Sequence, residues 1–582
     1  MKWVIIALLL CSIAVAAEVR QGEVPLLALM DNGTSQSGSV AMLGLEIVPG
    51  SERVFLETFP MTKITTQASL RFAQQVACKE LDIDCSGYDF LFTIEALPGI
   101  VGGPSAGSAA ALLTSALLLN KSIPKDIAMT GTINSGGIVG IVGGVKEKIE
   151  AAAKTGVKKV FVPKGTKEVK FANKTFPISA YGAELNVSVI EVSTLGELIE
   201  GALGVPQRKM EGPLQINPVY QDVMRAVAND LCSRSKELGA GVKNISLAKN
   251  LTSRAVSAQA QGEWYAAASY CFRANVDLKQ AQYREQKLSA SAAQEKAKRV
   301  RLEGEALRKD VELRNITTIT DLQTQMAVLE RVDEALNANE EVERLNRSER
   351  LQDAVIGDLV YAEERLFSAI TWARFFGNTN ENIVVNVERI KQGCASKVSE
   401  AEERYNYVKS VIPEALDGTR NDIDKAYGLL EQKEYALCLH LASKAKAEAD
   451  VLLAAMGVND LDEAVDIKLR VARDALMRAQ EKGVFPIIAY SYYEYANSLK
   501  DFDKVSSILF AGYALELANV DIYFEGKHAG KAVPLEEKES VQTATSAGVG
   551  FLIGAFVMFL LMWHTHDKGE PVSVPQKKRK RK

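Results

Sequence analysis

The sequence predicts a mixed α/β domain, then an all-α domain of helical hairpins or a coiled coil, and one C-terminal transmembrane helix. Three observations predict this order. Between residues 24 and 204, short β-like runs alternate with amphipathic segments, the pattern of an α/β fold. From Pro206 to about residue 520, Ala, Glu, Lys, Arg and Leu dominate, which favours helix. Residues 541–563 carry no charged side chain and are long enough to cross a hydrocarbon core of roughly 30 Å.

The two ends of the chain predict targeting and anchoring. The N-terminus combines one lysine, an apolar run and a small-residue end, as in a secretory signal peptide, with an uncleaved anchor as the alternative. The C-terminus ends in six basic residues, which positive-inside bias places in the cytoplasm; the same run also fits a nuclear or nucleic-acid-binding signal. The predicted division is a signal peptide at 1–17, an α/β domain at 18–205, an extracytoplasmic helical domain at 206–540, a single membrane span at 541–563 and a basic cytoplasmic tail at 564–582.

Composition and cysteine content agree with a body outside the cytoplasm. The net charge is only −4 over 582 residues, so the overall balance suggests no nucleic-acid partner. Six cysteines remain beyond residue 17, an even number that suits an oxidising compartment. Six cysteines allow fifteen pairings, which the sequence leaves open, and we expect the sequential one: Cys78 with Cys85, Cys232 with Cys271, and Cys394 with Cys438.

Within the α/β domain, hydrophobic periodicity places the individual elements. The predicted strands are 40–48, 54–58, 90–94, 127–130, 157–162 and 187–192, and the predicted helices are 66–81, 105–119 and 145–154. In the helical domain, Leu322, Leu329 and Leu336 recur every seven residues. This spacing indicates a long helix pair or coiled coil, or equally a core-facing stripe. Short turns before Tyr265 and Tyr435 favour helical hairpins similar to tetratricopeptide units.

A serine between glycines, in Gly103-Pro104-Ser105-Ala106-Gly107, is the candidate nucleophile. The segment matches G-x-S-x-G, the nucleophile elbow that requires a histidine base. The four histidines stand at 440, 528, 564 and 566, all outside the α/β domain. A Ser-His-Asp triad and a histidine-ligated zinc site are therefore excluded there.

A second pattern, Ser122 to Lys125 with a later Lys-Thr-Gly, imitates penicillin-binding enzymes. Pro124 would interrupt the turn that aligns the serine and the lysine, and no Ser-Asp-Asn element lies between them. This alternative is set aside because short motifs without their context are often accidental.

The remaining chemistry is a serine activated by a neutral lysine, whose pKa must fall from about 10.4 to roughly 7 to 8. Two lysines compete for this role. Lys146 has Glu150 one turn later, which keeps it charged and exposed. Lys148 has only small or apolar residues one turn before and after it, so Lys148 is the predicted buried base. Backbone N–H groups at the start of the Ser105 helix would stabilise an oxyanion.

Three elements in order, Gly103-Pro-Ser-Ala-Gly107, Met129-Thr-Gly131 and Gly143-Gly-Val-Lys-Glu-Lys148, resemble the proteolytic domain of Lon proteases over residues 35–204. The resemblance implies that Ser105 is the nucleophile, Lys148 the base and Thr130 the residue that supports the lysine, with the other residues of the first element, Gly103, Pro104, Ala106 and Gly107, shaping the turn. It also implies a protein or peptide substrate, no cofactor or metal, and a tendency to form homo-oligomeric rings.

The chain departs from the family pattern at Gly102 and Gly136, and at Thr132, where a glutamate is usual. No G-x-x-x-x-G-K-[ST] phosphate loop is present, so the ATP-driven unfoldase of the family is missing. The chain is in this respect similar to secreted or membrane-anchored archaeal Lon relatives. We therefore expect an ATP-independent, membrane-anchored serine endopeptidase. The alternative is a catalytically degenerate scaffold whose helical domain mediates protein interaction or envelope assembly.

Overall fold

A seven-stranded mixed sheet organises the N-terminal domain of the computed structural model. Its strand order is β11-β8-β5-β1-β2-β4-β3, with β1 antiparallel to β2 and parallel to β5. The remaining strands form two separate two-stranded sheets, β6 with β7 and β9 with β10. The strands are β1 (Arg20–Asp31), β2 (Gln36–Pro49), β3 (Val54–Phe59), β4 (Tyr88–Glu95), β5 (Ile127–Met129), β6 (Thr132–Ile133), β7 (Val139–Gly140), β8 (Lys159–Pro163), β9 (Val169–Phe171), β10 (Lys174–Phe176) and β11 (Ser188–Val192).

Helices cover both faces of the sheet. They are α1 (Ile64–Leu81), α2 (Gly107–Leu118), α3 (Val145–Lys154), α4 (Ile178–Glu184) and α5 (Leu195–Leu203), with a 3-10 turn at Pro104–Ala106. Helices α1, α2 and α5 share one hydrophobic core with Leu26, whereas α3 and α4 share another with Leu27. Neighbouring residues of a strand point to opposite faces, so α2 and α3 lie on opposite sides of the sheet. Every residue of α2 is buried, which explains its small side chains.

The structure describes residues 19–520, except 32–35, 60–63, 96–102, 134–136, 167–168, 172–173, 207–209, 211, 241, 243–245, 346–351, 378–384, 412–416 and 458–460. The predicted signal peptide at 1–17, membrane span at 541–563 and basic tail at 564–582 lie outside the described residues and stay predictions. Within the described ranges, no helix has the length and apolar character that crossing a lipid bilayer requires.

The mixed α/β prediction is confirmed, and all nine elements predicted individually in this domain are present. Strand β1 was not predicted as an element. Its sequence, Arg-Gln-Gly-Glu-Val-Pro-Leu-Leu-Ala-Leu-Met-Asp, holds a glycine, a proline and only one β-branched residue, so its propensity for strand is low. Pairing with β2 along its whole length makes it a strand. The β9–β10 hairpin and helices α4 and α5 were also not predicted.

The second domain is helical, as predicted. Its helices in the described residues are α6 (Pro218–Gly239), α7 (Ser246–Gln261), α8 (Trp264–Glu285), α9 (Ala290–Glu312), α10 (Ile319–Arg344), α11 (Asp353–Trp372), α12 (Val387–Val411), α13 (Asp417–Gln432), α14 (Tyr435–Gly457), α15 (Leu461–Glu481), α16 (Ile487–Leu499) and α17 (Lys504–Ala518). Short turns join α7 to α8 and α13 to α14, which confirms the two predicted hairpins.

The leucine spacing marks the central helix of this domain. Leu322 and Leu329 on α10 are buried, as are polar residues on its other faces such as Gln323 and Thr324. Helix α10 packs against α9, α11 and α14 together. The seven-residue spacing therefore belongs to a core helix enclosed by several neighbours rather than to a two-stranded coiled coil.

Three disulfides join the predicted cysteine pairs. Cys78 bonds to Cys85 within the N-terminal domain, Cys232 bonds to Cys271 between α6 and α8, and Cys394 bonds to Cys438 between α12 and α14. The sequential pairing is confirmed. Each helical-domain bridge closes a loop of about forty residues, which restricts the unfolded chain.

The two domains pack directly against each other. Helix α12 contacts α1, Lys446 Nζ lies 4.4 Å from the centre of the Phe72 ring, and Arg478 Nη1 lies 3.5 Å from Glu80 Oε2. The helical domain therefore covers the side of the N-terminal domain that α1 forms.

Candidate active site

The candidate nucleophile lies on a tight turn that glycine and proline impose. Gly103 has φ 130°, a conformation that side chains disfavour, and Pro104 begins the 3-10 turn that carries Ser105. A Cβ at Gly107 would stand 2.9 Å from the Ile133 backbone nitrogen, so only glycine fits there. The turn leads directly into α2, and Ser105 remains partly exposed.

Two hydroxyl groups of α1 hold this turn from behind. Thr66 Oγ1 accepts a hydrogen bond from the Gly103 N–H at 3.2 Å and donates to the Gly103 carbonyl at 3.4 Å. Ser69 Oγ donates to the Pro104 carbonyl at 3.2 Å. Our sequence interpretation missed both residues. The available signal was a pair of polar residues, three apart, on the buried face of the predicted helix.

The segment after β5 is the second anchor of the turn. The Gly131 N–H donates to the Ser105 carbonyl at 3.2 Å, and the Ser108 N–H donates to the Gly131 carbonyl at 3.0 Å. Thr130, the preceding residue, is fixed in turn by its N–H, which donates to the Phe161 carbonyl of β8 at 3.0 Å. Ser105 and Thr130 are therefore tied to one rigid point at the end of β5.

Lys148 reaches the same point from the other side of the sheet. Its side chain is buried, at 2% exposure, and Nζ donates to Thr130 Oγ1 at 3.0 Å. Burial disfavours the charged amine and lowers the pKa of Lys148 to about 7. Lys146 instead lies 3.6 Å from Glu150 and is one-third exposed. The structure thus confirms that Lys148 is the buried lysine of the two.

Close contact between α3 and the sheet buries Lys148. Gly144, with φ 65°, caps α3, and a Cβ there would clash with Leu29. At Gly38 on β2, a Cβ would lie 1.8 Å from the Glu147 carbonyl oxygen. The two glycines let the helix approach the strands until water is excluded from the amine. Gly38 was not predicted, because its partner on α3 is more than a hundred residues away.

The segment also contains the departures from the family pattern. Thr132 is buried, and its hydroxyl has no hydrogen-bond partner among the residues that the structure describes; the same is true of Ser108 Oγ. Gly102 and Gly136 lie outside the described residues. No group of three metal-ligating side chains occurs in the described part of the chain.

Together these groups form a partly exposed serine and a buried amine whose pKa is lowered, anchored on adjacent residues, Gly131 and Thr130. In the first turn after Gly103, the N–H groups of Gly107 and Ser108 donate to the Pro104 and Gly131 carbonyls, so the N–H groups of Ser105 and Ala106 are the candidates for stabilising an oxyanion. The arrangement suits attack on a carbonyl carbon with lysine as proton acceptor.

Comparison with known proteins agrees with this arrangement. A sequence model of the C-terminal proteolytic domain of Lon proteases matches residues 80–204. The Lon protease of Paraburkholderia phytofirmans is 36% identical over 135 residues, which are 22% of this chain and 17% of that protein. The archaeal Lon protease of Methanothermobacter thermautotrophicus is 30% identical over 174 residues, or 29% of this chain and 25% of that protein.

The likeness is confined to one part of each protein. Lon protease 2 of Borreliella burgdorferi is 38% identical over 98 residues, 17% of this chain and 12% of that protein. The chain thus spans a quarter or less of the length of these curated relatives. The match includes Ser105, Thr130 and Lys148 and ends before the helical domain. Residues 80–204 of this chain are therefore similar to the C-terminal proteolytic domain of Lon proteases.

Proposed function

We propose that the chain is a serine endopeptidase that uses Ser105 as nucleophile and Lys148 as general base and acid. The observation that carries this proposal is the buried amine of Lys148, which has a hydroxyl rather than a carboxylate as its partner. With a pKa of about 7, half of the Lys148 side chains are neutral at that pH. A neutral amine can accept the serine proton, whereas an ordinary lysine cannot.

In the proposed reaction these groups act in the following order. Ser105 Oγ forms a bond to the peptide carbonyl carbon as its proton passes to Lys148 Nζ. The carbonyl oxygen becomes an oxyanion that backbone N–H groups near Ser105 stabilise. Lys148 then donates the proton to the departing amine and the C–N bond breaks, leaving an acyl-enzyme. Lys148 then deprotonates a water that attacks the ester carbon, and the bond to Ser105 Oγ breaks as Lys148 returns the proton to Oγ, releasing the new carboxyl group.

Thr130 orients the base in this scheme. Its Oγ1 accepts one hydrogen from Nζ, which fixes the direction of the amine and of its lone pair. Gly103, Pro104, Ala106 and Gly107 shape the turn that presents Ser105. The degenerate-scaffold alternative does not account for Lys148, because a buried amine without a carboxylate costs stability and a domain without catalysis gains nothing from it.

The cellular setting belongs to the same proposal. The uncharged stretch at 541–563 supports a membrane anchor, and the absence of a phosphate loop from the sequence supports ATP-independent cleavage. The three disulfides support a location outside the cytoplasm. Without an unfoldase, the substrates are unfolded or flexible protein segments. A homo-oligomeric ring is the assembly that the family resemblance favours.

The test is cleavage of fluorescein-labelled casein, which has no stable fold, by the full-length chain. Ser105→Ala and Lys148→Ala should each lower kcat/KM by about a thousandfold or more. Lys146→Ala is the matched control, since it removes an exposed lysine from the same helix, and it should retain cleavage. Unchanged turnover in either of the first two variants would contradict the assignment.

A further inference from the structure

An arginine of the helical domain reaches the active-site segment of the proteolytic domain. Arg404 on α12 donates from Nη2 to the Ile133 carbonyl at 3.3 Å. Ile133 lies three residues beyond Thr130, at the end of the short strand β6. This is a contact between residues 271 positions apart in the chain, and it joins the helical domain to the backbone that carries the partner of Lys148.

A carboxylate of a neighbouring helix forms a buried ion pair with the arginine. Arg404 Nε lies 2.7 Å from Asp450 Oδ1 of α14, and neither side chain is more than 5% exposed. Burying two charges is costly, and an apolar pair of similar size is often at least as stabilising. Packing alone therefore does not explain an ion pair at this position. What the pair adds is a directed donor aimed at one carbonyl group.

The carbonyl in question belongs to a short and highly connected segment. Gly131 bonds to Ser105 and Ser108, Ile133 pairs with Val139, and the Ile133 nitrogen lies against Gly107 of the nucleophile turn. A shift of Ile133 would consequently move both the turn that bears Ser105 and the hydroxyl that Lys148 contacts.

We infer that Arg404 is a positioning residue for the peptidase site: the helical domain, through Arg404 and Asp450, holds residues 130–133 in the geometry that places Thr130 against Lys148. This inference rests on the proposed function, which it deepens, because it makes the helical domain part of the peptidase rather than a separate module. Arg404 contacts the Ile133 backbone carbonyl rather than Ser105 or Lys148, so it is not a catalytic residue.

The test is the double variant Arg404→Met/Asp450→Leu of the full-length chain, which removes both charges so that neither is left buried alone. If residues 130–133 loosen, Lys148 loses its partner and gains water, and its pKa rises toward the ordinary value. We expect kcat/KM on fluorescein-labelled casein to fall about tenfold near neutral pH. The apparent pKa of the acidic limb of the kcat/KM profile should rise by about one pH unit. Much of the activity should therefore return at alkaline pH.

The matched control is Glu80→Gln/Arg478→Met. This pair also crosses between the domains, at 3.5 Å and with both side chains largely buried, and Glu80 Oε2 lies near Gly137. This control variant should leave the apparent pKa of the acidic limb of the kcat/KM profile unchanged. An Arg404 variant that loses activity without moving the limb, or loses none, would overturn the inference, since a merely structural pair would behave in that way.

A second readout keeps this inference separate from the proposed function. Acetylation of Lys148 by acetic anhydride, followed by mass spectrometry across a pH series, reports the pKa of the amine without any cleavage. If Ser105→Ala still cleaves casein, the proposed function fails, yet the acetylation curve still decides the role of Arg404. An unchanged curve in Arg404→Met/Asp450→Leu would refute it.

Discussion

Both domains bury lysine side chains, but they surround them differently. In the proteolytic domain, Lys148 has the Thr130 hydroxyl as its partner, and burial lowers its pKa to about 7. In the helical domain, Lys444 Nζ lies 2.6 Å from Glu330 Oε1. Burial alone would lower the pKa of Lys444, but the charge of Glu330 outweighs it and raises that pKa well above its usual value.

A second cluster in the helical domain repeats the pattern. Lys397 and Lys446, each about 1% exposed, contact Glu516 at 3.0 and 3.1 Å. Burial would raise the pKa of Glu516, but the two lysines lower it to about 2. The comparison teaches that burial does not decide the charge of a lysine. A carboxylate partner makes the amine a structural cation, whereas a hydroxyl partner leaves it able to take up a proton.

The largest expected effect comes from giving Lys148 the partner that the helical lysines have. Thr130→Asp places a carboxylate beside Nζ, which raises the pKa of Lys148 and keeps it protonated at neutral pH. We expect kcat/KM on casein to fall about a thousandfold, with the acidic limb moved to alkaline pH. Thr130→Ser keeps the hydroxyl and serves as control. Near-normal cleavage by Thr130→Asp at neutral pH would contradict the need for a neutral amine.

The reverse exchange removes one of the two carboxylates of the helical cluster; the other, Glu400, remains 2.9 Å from Lys397 Nζ and 3.1 Å from Lys446 Nζ. Glu516→Gln leaves two buried amines short of a counter-charge and should lower the free energy of unfolding by about 3 kcal/mol at neutral pH. Because the folded pKa of Glu516 lies near 2, below its usual 4.5, its stabilisation is present above about pH 4.5 and is lost as the pH falls toward 2. The difference in free energy of unfolding between Glu516→Gln and the unmodified protein, measured by urea titration, should therefore shrink as the pH falls from 4.5 toward 2.

The exposed pair of Glu388 with Lys391 on α12 provides the control for this measurement. Glu388→Gln should change stability by no more than about 0.5 kcal/mol. Equal effects of Glu388→Gln and Glu516→Gln would show that burial of the cluster does not matter.

A smaller effect of opposite sign is expected at the active site. Lys148 has a folded pKa of about 7 against the ordinary 10.5, so folding between these pH values favours loss of its proton. The buried amine therefore destabilises the fold most below pH 7, and this destabilisation decreases as the pH rises from 7 to 10.5. Lys148→Met should therefore raise the free energy of unfolding by about 2 kcal/mol at pH 6, and by less at pH 9. Lys146→Met is the exposed control. A less stable Lys148→Met at pH 6 would oppose this account.

The smallest expected effect separates two threonines of one segment. Thr130→Val removes the acceptor for Nζ and should lower kcat/KM by about tenfold, the value of one hydrogen bond. Thr132 is equally buried, but its hydroxyl has no partner in the described residues. Thr132→Val should therefore leave kcat/KM nearly unchanged, and equal losses in the two variants would contradict the role of Thr130.

Sequence reasoning succeeded where the signal was local. Hydrophobic periodicity located most elements of the α/β domain and the long helical region, and the faces of one short helix distinguished Lys148 from Lys146. It failed where a residue depends on a distant partner. Strand β1 has low strand propensity and forms because it pairs with β2. Thr66 and Ser69 can be recognised as supports of the nucleophile turn only when the position of α1 behind that turn is known.

The sequence by itself determined the fold class, the order of the domains and the identity of the candidate serine and lysine, whereas the structure selected the disulfide pairs from the fifteen that six cysteines allow. The features that the sequence determined follow from periodicity, composition and motif spacing, which are properties of neighbouring residues. Only the tertiary structure decided the state of the site. Gly38 lets α3 close over Lys148, and Arg404 reaches Ile133 from another domain. Desolvation and directed hydrogen bonds depend on which surfaces meet, and no local pattern records that.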